Sequence, residues 1–266
     1  MKLNKLFLTI FALSFAFISC SDDNDSDNVD FNIPLTDGSF WVYRVTGQDF
    51  VTRDSLYVSN DTIINSNTYK KMKTREVQPA GFYSASLRNN GLRKSNNKLL
   101  LSGNLAISGD LQLPINVDLN LYDFVIFDAN ASLNQQLGSK NGVIQENFDG
   151  IPLTINYNLK AIAGENYESF TSPNGDSYSN VKSTIIKLNV TITTVQEIIP
   201  GFPINITVLT PQDVIVSTQY IASGIGVVHT NTDTSYSINT TIASELGIPA
   251  SGSQNQKEFL DIYEIN

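Results

Sequence analysis

The chain has 266 residues with 26 acidic and 17 basic side chains, a net charge of −9 and a sequence pI of about 4.5. That balance excludes a nucleic-acid binder, which needs a basic surface for phosphate. One cysteine and one histidine exclude a disulfide scaffold and leave the ordinary His/Cys zinc sets without ligands.

Lys2 and Lys5 precede an uncharged apolar run from Leu6 to Ile18, the form of a secretory signal and too short for the roughly 20 residues of a membrane-spanning helix. The run ends in Phe17-Ile18-Ser19-Cys20, which resembles the lipobox of bacterial lipoproteins, with Phe17 bulkier than the aliphatic residue usual there. The resemblance implies that Cys20 becomes the acylated first residue of the mature chain, carrying palmitate or a similar acyl group. Five aspartates then fall within residues 21–30, a composition that cannot bury enough surface to fold. Asp23, Asp25 and Asp27 have the alternation of a calcium loop, but Asn28 stands where its glycine belongs and Pro34 where its closing Glu belongs. An acidic run after the cysteine is similar to the export signal of surface-exposed Bacteroidota lipoproteins. The expected organisation is a signal peptide at 1–19, a disordered acidic tether at 20–30 and a single antiparallel β domain at 31–266. The expected location is the outer membrane, lipid-anchored and surface-exposed, with the membrane and the lipoprotein export machinery as partners.

Past residue 30 the chain holds 21 acids and 15 bases, unevenly placed, with ten bases against five acids in residues 31–100 and five against sixteen thereafter. Period-two patterning dominates this body. Ser39 to Thr46 is aromatic and β-branched after an Asp37-Gly38 turn and predicts the first strand. Asp54 to Ser59, Thr62 to Ile64, Thr68 to Val77, Phe82 to Arg88, Leu92 to Lys94 and Lys98 to Ser102 continue as short strands joined by Asn- and Gly-rich turns. Lys71, Lys73 and Arg75 share one face there, a solvated face or a patch for lipid phosphate or acidic glycan.

Alternation then becomes strict. Leu111, Leu113, Ile115, Val117, Leu119 and Leu121 line one face, and Ile151, Leu153, Ile155, Tyr157, Leu159 and Ala161 repeat the pattern, each with a proline near the start. Phe202 to Val208 is a third copy, and Ile186 to Thr193 alternates without the proline. These long amphipathic strands need cover on their apolar faces: a second sheet, an apolar ligand or helix in a curved sheet, or membrane lipid around a barrel. Leu111, Leu113, Ile115, Val117, Leu119, Leu121, Ile151, Leu153, Ile155 and Tyr157 are therefore the expected apolar ligand face. Ala129 to Gly138 is the expected irregular or single-turn helical element, and Val214 to Thr230 reads as strand, glycine break and strand. Lys257 to Ile265 closes the chain as a strand.

Ile33 to Tyr43 (Ile-Pro-Leu-Thr-Asp-Gly-Ser-Phe-Trp-Val-Tyr) and Tyr220 to Val228 (Tyr-Ile-Ala-Ser-Gly-Ile-Gly-Val-Val) resemble the opening and closing signatures of uncharacterised Bacteroidota lipoproteins. That resemblance implies a curved antiparallel sheet similar to the LolA and LolB lipoprotein carriers. The expected fold is all-β and mainly antiparallel, a curved sheet or half-barrel with a β-sandwich as the alternative and at most one or two short helices.

No nucleophile elbow or phosphate loop is present, and His229, the single histidine, reads as a satisfied strand residue. The expected function is a non-enzymatic lipoprotein without cofactor, binding an apolar ligand or partner segment. The alternatives are a structural, adhesive or glycan-binding module, or a glycosidase using two carboxylates.

Overall fold

A computed structural model describes residues 31–107, 117–148, 150–199 and 201–266. The expected signal peptide, Cys20, the expected acidic tether and Leu111, Leu113 and Ile115 lie outside the described residues. Residues 31–266 form one unit. In chain order its strands are β1 Phe40–Thr46, β2 Val51–Ile64, β3 Asn67–Thr74, β4 Gly91–Ser95, β5 Lys98–Ile107 and β6 Val117–Asp128. The longer strands follow: β7 Gln136–Phe148, β8 Ile151–Thr171, β9 Ser177–Ile199, β10 Phe202–Ala222, β11 Gly226–Ser237 and β12 Ser251–Glu264. Two short helices interrupt them, α1 Phe82–Leu87 and α2 Thr240–Leu246.

All twelve strands belong to one antiparallel sheet in the order β6-β5-β4-β3-β2-β1-β12-β11-β10-β9-β8-β7, so the curved sheet is realised and the sandwich is not. The sheet curls almost into a barrel. Among the described residues no strand ladder joins its ends, and side chains bridge them: Thr184 Oγ1 of β9 donates to the Ile126 carbonyl of β6 (3.0 Å), and Lys182 Nζ donates to the Ala129 carbonyl (2.5 Å). Gly138 of β7 lies against β6, where an added Cβ would come within 2.8 Å of the Val125 carbonyl oxygen.

Period-two patterning decides which face turns inward. On β8, Leu153, Ile155, Leu159 and Ala161 are buried, while Thr154, Asn156 and Lys160 between them point outward. A membrane barrel needs the reverse arrangement. Among the described residues no helix is long and apolar enough to cross a membrane.

Two elements depart from the expected meander. Phe82 to Arg88 was expected as a strand and is instead α1, which covers the inner face of β2 and β12. Six residues cannot hold a helix alone. The reason lies elsewhere in the chain, because five successive backbone N–H groups before and within α1 find side-chain acceptors on those strands. Ala80 N and Gly81 N donate to Asp54 (3.0 and 2.6 Å), Phe82 N to Gln256 Oε1 (2.7 Å), and Tyr83 N and Ser84 N to Glu258 (2.8 and 3.4 Å). These are the donors that a helix start leaves unpaired. A Cβ on Gly81 would collide with the Glu258 carboxylate, so this close approach requires glycine.

The second departure is β7, which lies largely outside the patterned stretches. Residues 129–135 are irregular as expected, and the strand begins at Gln136.

The two stretches that carry the lipoprotein resemblance meet in space. Trp41 Nε1 donates to the Ile225 carbonyl (2.6 Å) and Tyr43 Oη to the Val227 carbonyl (2.9 Å), while Gly224 N donates to the Asn32 carbonyl (2.7 Å). Gly226, at φ +105°, leaves the space that the Trp41 indole fills.

Candidate functional site

The described residues of the expected apolar face turn toward the inside of the barrel. Val117, Leu119 and Leu121 of β6 share one cluster with Leu153 and Ile155 of β8, and Ile151 and Tyr157 pack partly buried against it. Tyr157 also covers Gly142 on the neighbouring strand. These side chains close on one another and on α1. Small, mainly apolar voids among the described residues include one of about 20 Å³ beside Trp41, Met72 and Ile126 and one of about 30 Å³ beside Leu87, Leu105 and Phe124. Each has room for no more than a water or two, and Gln219 is among the few polar side chains in linings that are otherwise mainly apolar. The third copy is only partly inside: Val208 is buried, whereas Phe202 and Ile204 at its start are 69% and 43% exposed.

Asp54 and Glu258 bring two carboxyl groups together inside the barrel, the residue types that a glycosidase would use. Both are buried, and Gly81 lies between them. Glu258 also accepts from Ser84 Oγ (3.1 Å) and Thr230 Oγ1 (3.2 Å), so donors from the protein surround its oxygens. Burial pushes the Glu258 carboxyl up to about 7 and raises Asp54 as well, each against the opposing pull of backbone N–H donors. Tyr43 and Tyr83 pack edge to face beside them, with rings 5.7 Å apart, and burial raises both phenols. This arrangement fastens α1 to the sheet.

On the face turned away from the core, His229 stands in a row of rings. Phe259, His229 and Tyr220, from neighbouring strands, stack at 4.8 and 5.4 Å, and Phe170 from the end of β8 stacks on Tyr220 at 4.3 Å. The Arg44 guanidinium caps the row 5.2 Å from the Phe259 ring. His229 Nδ1 donates to the Glu258 backbone carbonyl (2.8 Å), which fixes its tautomer, and burial lowers its pKa. Each ring shields the faces of its neighbours, so His229 is 3% exposed although it points away from the core.

Lys71 and Arg75 are engaged with their own chain. Lys71 Nζ donates to the Asn89 carbonyl, and the Arg75 guanidinium sits 5.9 Å over the Phe40 ring. The stronger ionic device in the basic third is Arg93, bidentate to Asp123 (2.8 and 2.6 Å), with Tyr69 Oη adding a third bond to that carboxylate (2.6 Å). Arg93 holds the Asp123 carboxyl below its ordinary range.

A much roomier concavity than these two voids is outside the barrel and lined largely by polar side chains. A cleft of about 640 Å³ opens where the β1–β2 turn meets β11 and β12, lined by residues including Gln48, Asp233, Ser253, Gln254 and Asn255. Asn255 Nδ2 donates to Asp233 Oδ1 (2.7 Å) and to Asn231 Oδ1 (2.9 Å), which orders the floor. Gln254 Oε1 is buried there without a donor. The signal for this cleft was present in the sequence as outward polar residues at every second position of two paired strands, with Asp233 opposite Asn255. No cluster of three or more His, Cys, Asp or Glu suited to a metal occurs among the described residues.

Comparison with protein-family models, curated proteins and solved structures returned no match to this chain.

Proposed function

We propose that this chain is a non-enzymatic lipoprotein, held at the outer membrane by acylated Cys20 and displayed at the cell surface, whose barrel binds a polar ligand of the oligosaccharide class in the cleft formed by the β1–β2 turn, β11 and β12. The carrying observation is the contrast in space: about 640 Å³ lined by amides, hydroxyls and a carboxylate outside, against about 20 and 30 Å³ of apolar void inside. Sugars present dense, directional hydroxyls, and fixed side chains such as Asn255 and Asp233 answer them without reorganisation. An apolar ligand would require the barrel to open well beyond its present voids. The acidic run after Cys20 supports a role for the lipoprotein export machinery in delivering the protein.

Two measurements test this reading. Cys20→Ala should abolish incorporation of labelled fatty acid and release the protein from membranes, because acyl chains contribute ~0.8 kcal/mol per buried CH₂; retention of the variant on membranes would overturn the anchor. On an oligosaccharide array the protein should bind a subset of glycans, and Asp233→Ala with Asn255→Ala should remove that binding. An array without signal, together with lipid extracted from the purified protein, would overturn the polar-ligand reading in favour of an apolar one.

A further inference from the structure

Among the described residues β7 has one strand partner, β8, and it ends the sheet. In an antiparallel ladder alternate residues turn their N–H and C=O away from the neighbour, so an edge strand presents a row of open backbone groups. From Ser139 to Asn147 every residue is exposed except half-buried Gly142 and Ile144. The close approach of β6 at Gly138 comes before this stretch. Pairing with β8 assigns the faces: Lys140, Gly142, Ile144 and Glu146 lie opposite Leu159, Tyr157, Ile155 and Leu153 on the core side, and Ser139, Asn141, Val143 and Gln145 point outward.

Lys140 and Glu146 are thus opposite charges on one face, six residues apart, and neither has an ionic partner among the described residues. Inward-pointing charges on an edge strand ordinarily deter pairing, because an incoming strand must meet them. We propose that the strand which meets them is a second copy of β7, so that two chains join edge to edge, antiparallel, about a two-fold axis through Val143.

Symmetry restricts the choice of register. A two-fold axis perpendicular to the sheet keeps core face beside core face, so it must pass through a residue rather than between two. Centred on Val143, Lys140 faces the partner's Glu146 and Glu146 faces the partner's Lys140, giving two cross-strand ion pairs. Asn141 then faces the partner's Gln145, and Val143, 58% exposed in the single chain, covers its own twin. Moving the centre to Gly142 sets Lys140 against the partner's Ile144 and Glu146 against the partner's Gly138. Moving it to Ile144 sets Lys140 against the partner's Phe148 and Glu146 against the partner's Gly142. Only the Val143 centre among these three neutralises both charges, and directly opposed residues there are about 4.5 to 5.5 Å apart at Cβ.

Full-length protein in detergent should sediment as a dimer. Lys140→Glu or Glu146→Lys alone, each at an exposed position and each with unchanged circular dichroism, should weaken the dimer about tenfold by opposing like charges twice. The double exchange restores Lys opposite Glu and should return the affinity to that of the parent. In a Cys20→Ala background, Val143→Cys should form an intermolecular disulfide under mild oxidation, whereas Val195→Cys, exposed elsewhere, should not. A monomer at all concentrations, single exchanges without effect, a double exchange that fails to restore association, or equal cross-linking at both cysteines would overturn the proposal.

Discussion

Where β2, β1 and β12 run side by side, backbone polar groups are satisfied by buried side chains; along β7, at the end of the sheet, alternate ones have no strand partner among the described residues. Asp54, Gln256 and Glu258 accept five successive N–H groups of the α1 segment inside the core, whereas the outward N–H and C=O groups of Ser139 to Asn147 face the outside. The first arrangement makes a helix that local propensity would not sustain, at the cost of desolvating two carboxyls. The second leaves a strand with few apolar side chains that folds because β8 supplies its ladder. Substitutions in the first region should therefore be severe and those in the second mild, a difference that measurement can break or sharpen.

The largest effect is expected from Glu258→Ala. It leaves Tyr83 N, Ser84 N, Ser84 Oγ and Thr230 Oγ1 buried without their acceptor. Loss of about 3 to 5 kcal/mol should follow in urea unfolding, with α1 detached. A loss below about 1 kcal/mol would mean that α1 is held by packing and that the carboxylate is incidental.

Next is the pH dependence of the same group. Burial raises Glu258 from 4.5 to about 7, so between those values the folded state holds a proton that the unfolded state has released. Its contribution is present below 4.5 and lost as pH rises through 7, on the order of 3 kcal/mol in all. Asp54, also raised, acts in the same direction. His229, lowered by burial from 6.5, acts oppositely, since its unfolded state takes up a proton first as pH falls. Comparison with Glu258→Gln isolates the carboxyl: the variant should show a shallower fall in stability from pH 4.5 to 7, and an unchanged slope would place the titration elsewhere.

Asp123→Ala tests a partly exposed clamp between these extremes. It removes the bidentate Arg93 pair and the Tyr69 bond but leaves Arg93 able to reach water, since the two side chains are 25% and 22% exposed. About 1 to 2 kcal/mol should be lost, less at high salt.

What the sequence disclosed follows the same division. Strands with one buried face announced themselves, because Leu153-Thr154-Ile155-Asn156 can bury its apolar residues only as a strand. α1 did not, since its acceptors lie 26 or more residues away and nothing local distinguishes Phe82 to Leu87 from a strand. α2 carries short-range signals: Asn239 accepts from Thr241 N and Ile242 N, and Gly247 closes the helix at φ +66°. β7 was hidden for the opposite reason. An edge strand buries little, so Gly138 to Asn147 keeps only Val143 and Ile144 as large apolar residues and shows no sustained alternation. The polar cleft was legible only once β11 and β12 were known to pair, because Asp233 and Asn255 are far apart in the chain.

The smallest effect separates the two regions most directly. Val143→Thr, at a concentration where the chain is monomeric, keeps a β-branched side chain on an outward position opposite Asn156 and removes no buried contact. Its cost should be within about 0.5 kcal/mol. Leu159→Ala, at a buried position opposite Lys140 on the neighbouring strand, should cost about 2 to 5 kcal/mol because the surrounding core cannot fully collapse. If Val143→Thr instead destabilised the monomer by more than about 1 kcal/mol, the edge would already be covered within a single chain. The open backbone of β7 would then be no interface, and the contrast between the α1 wall and the sheet edge would fall with it.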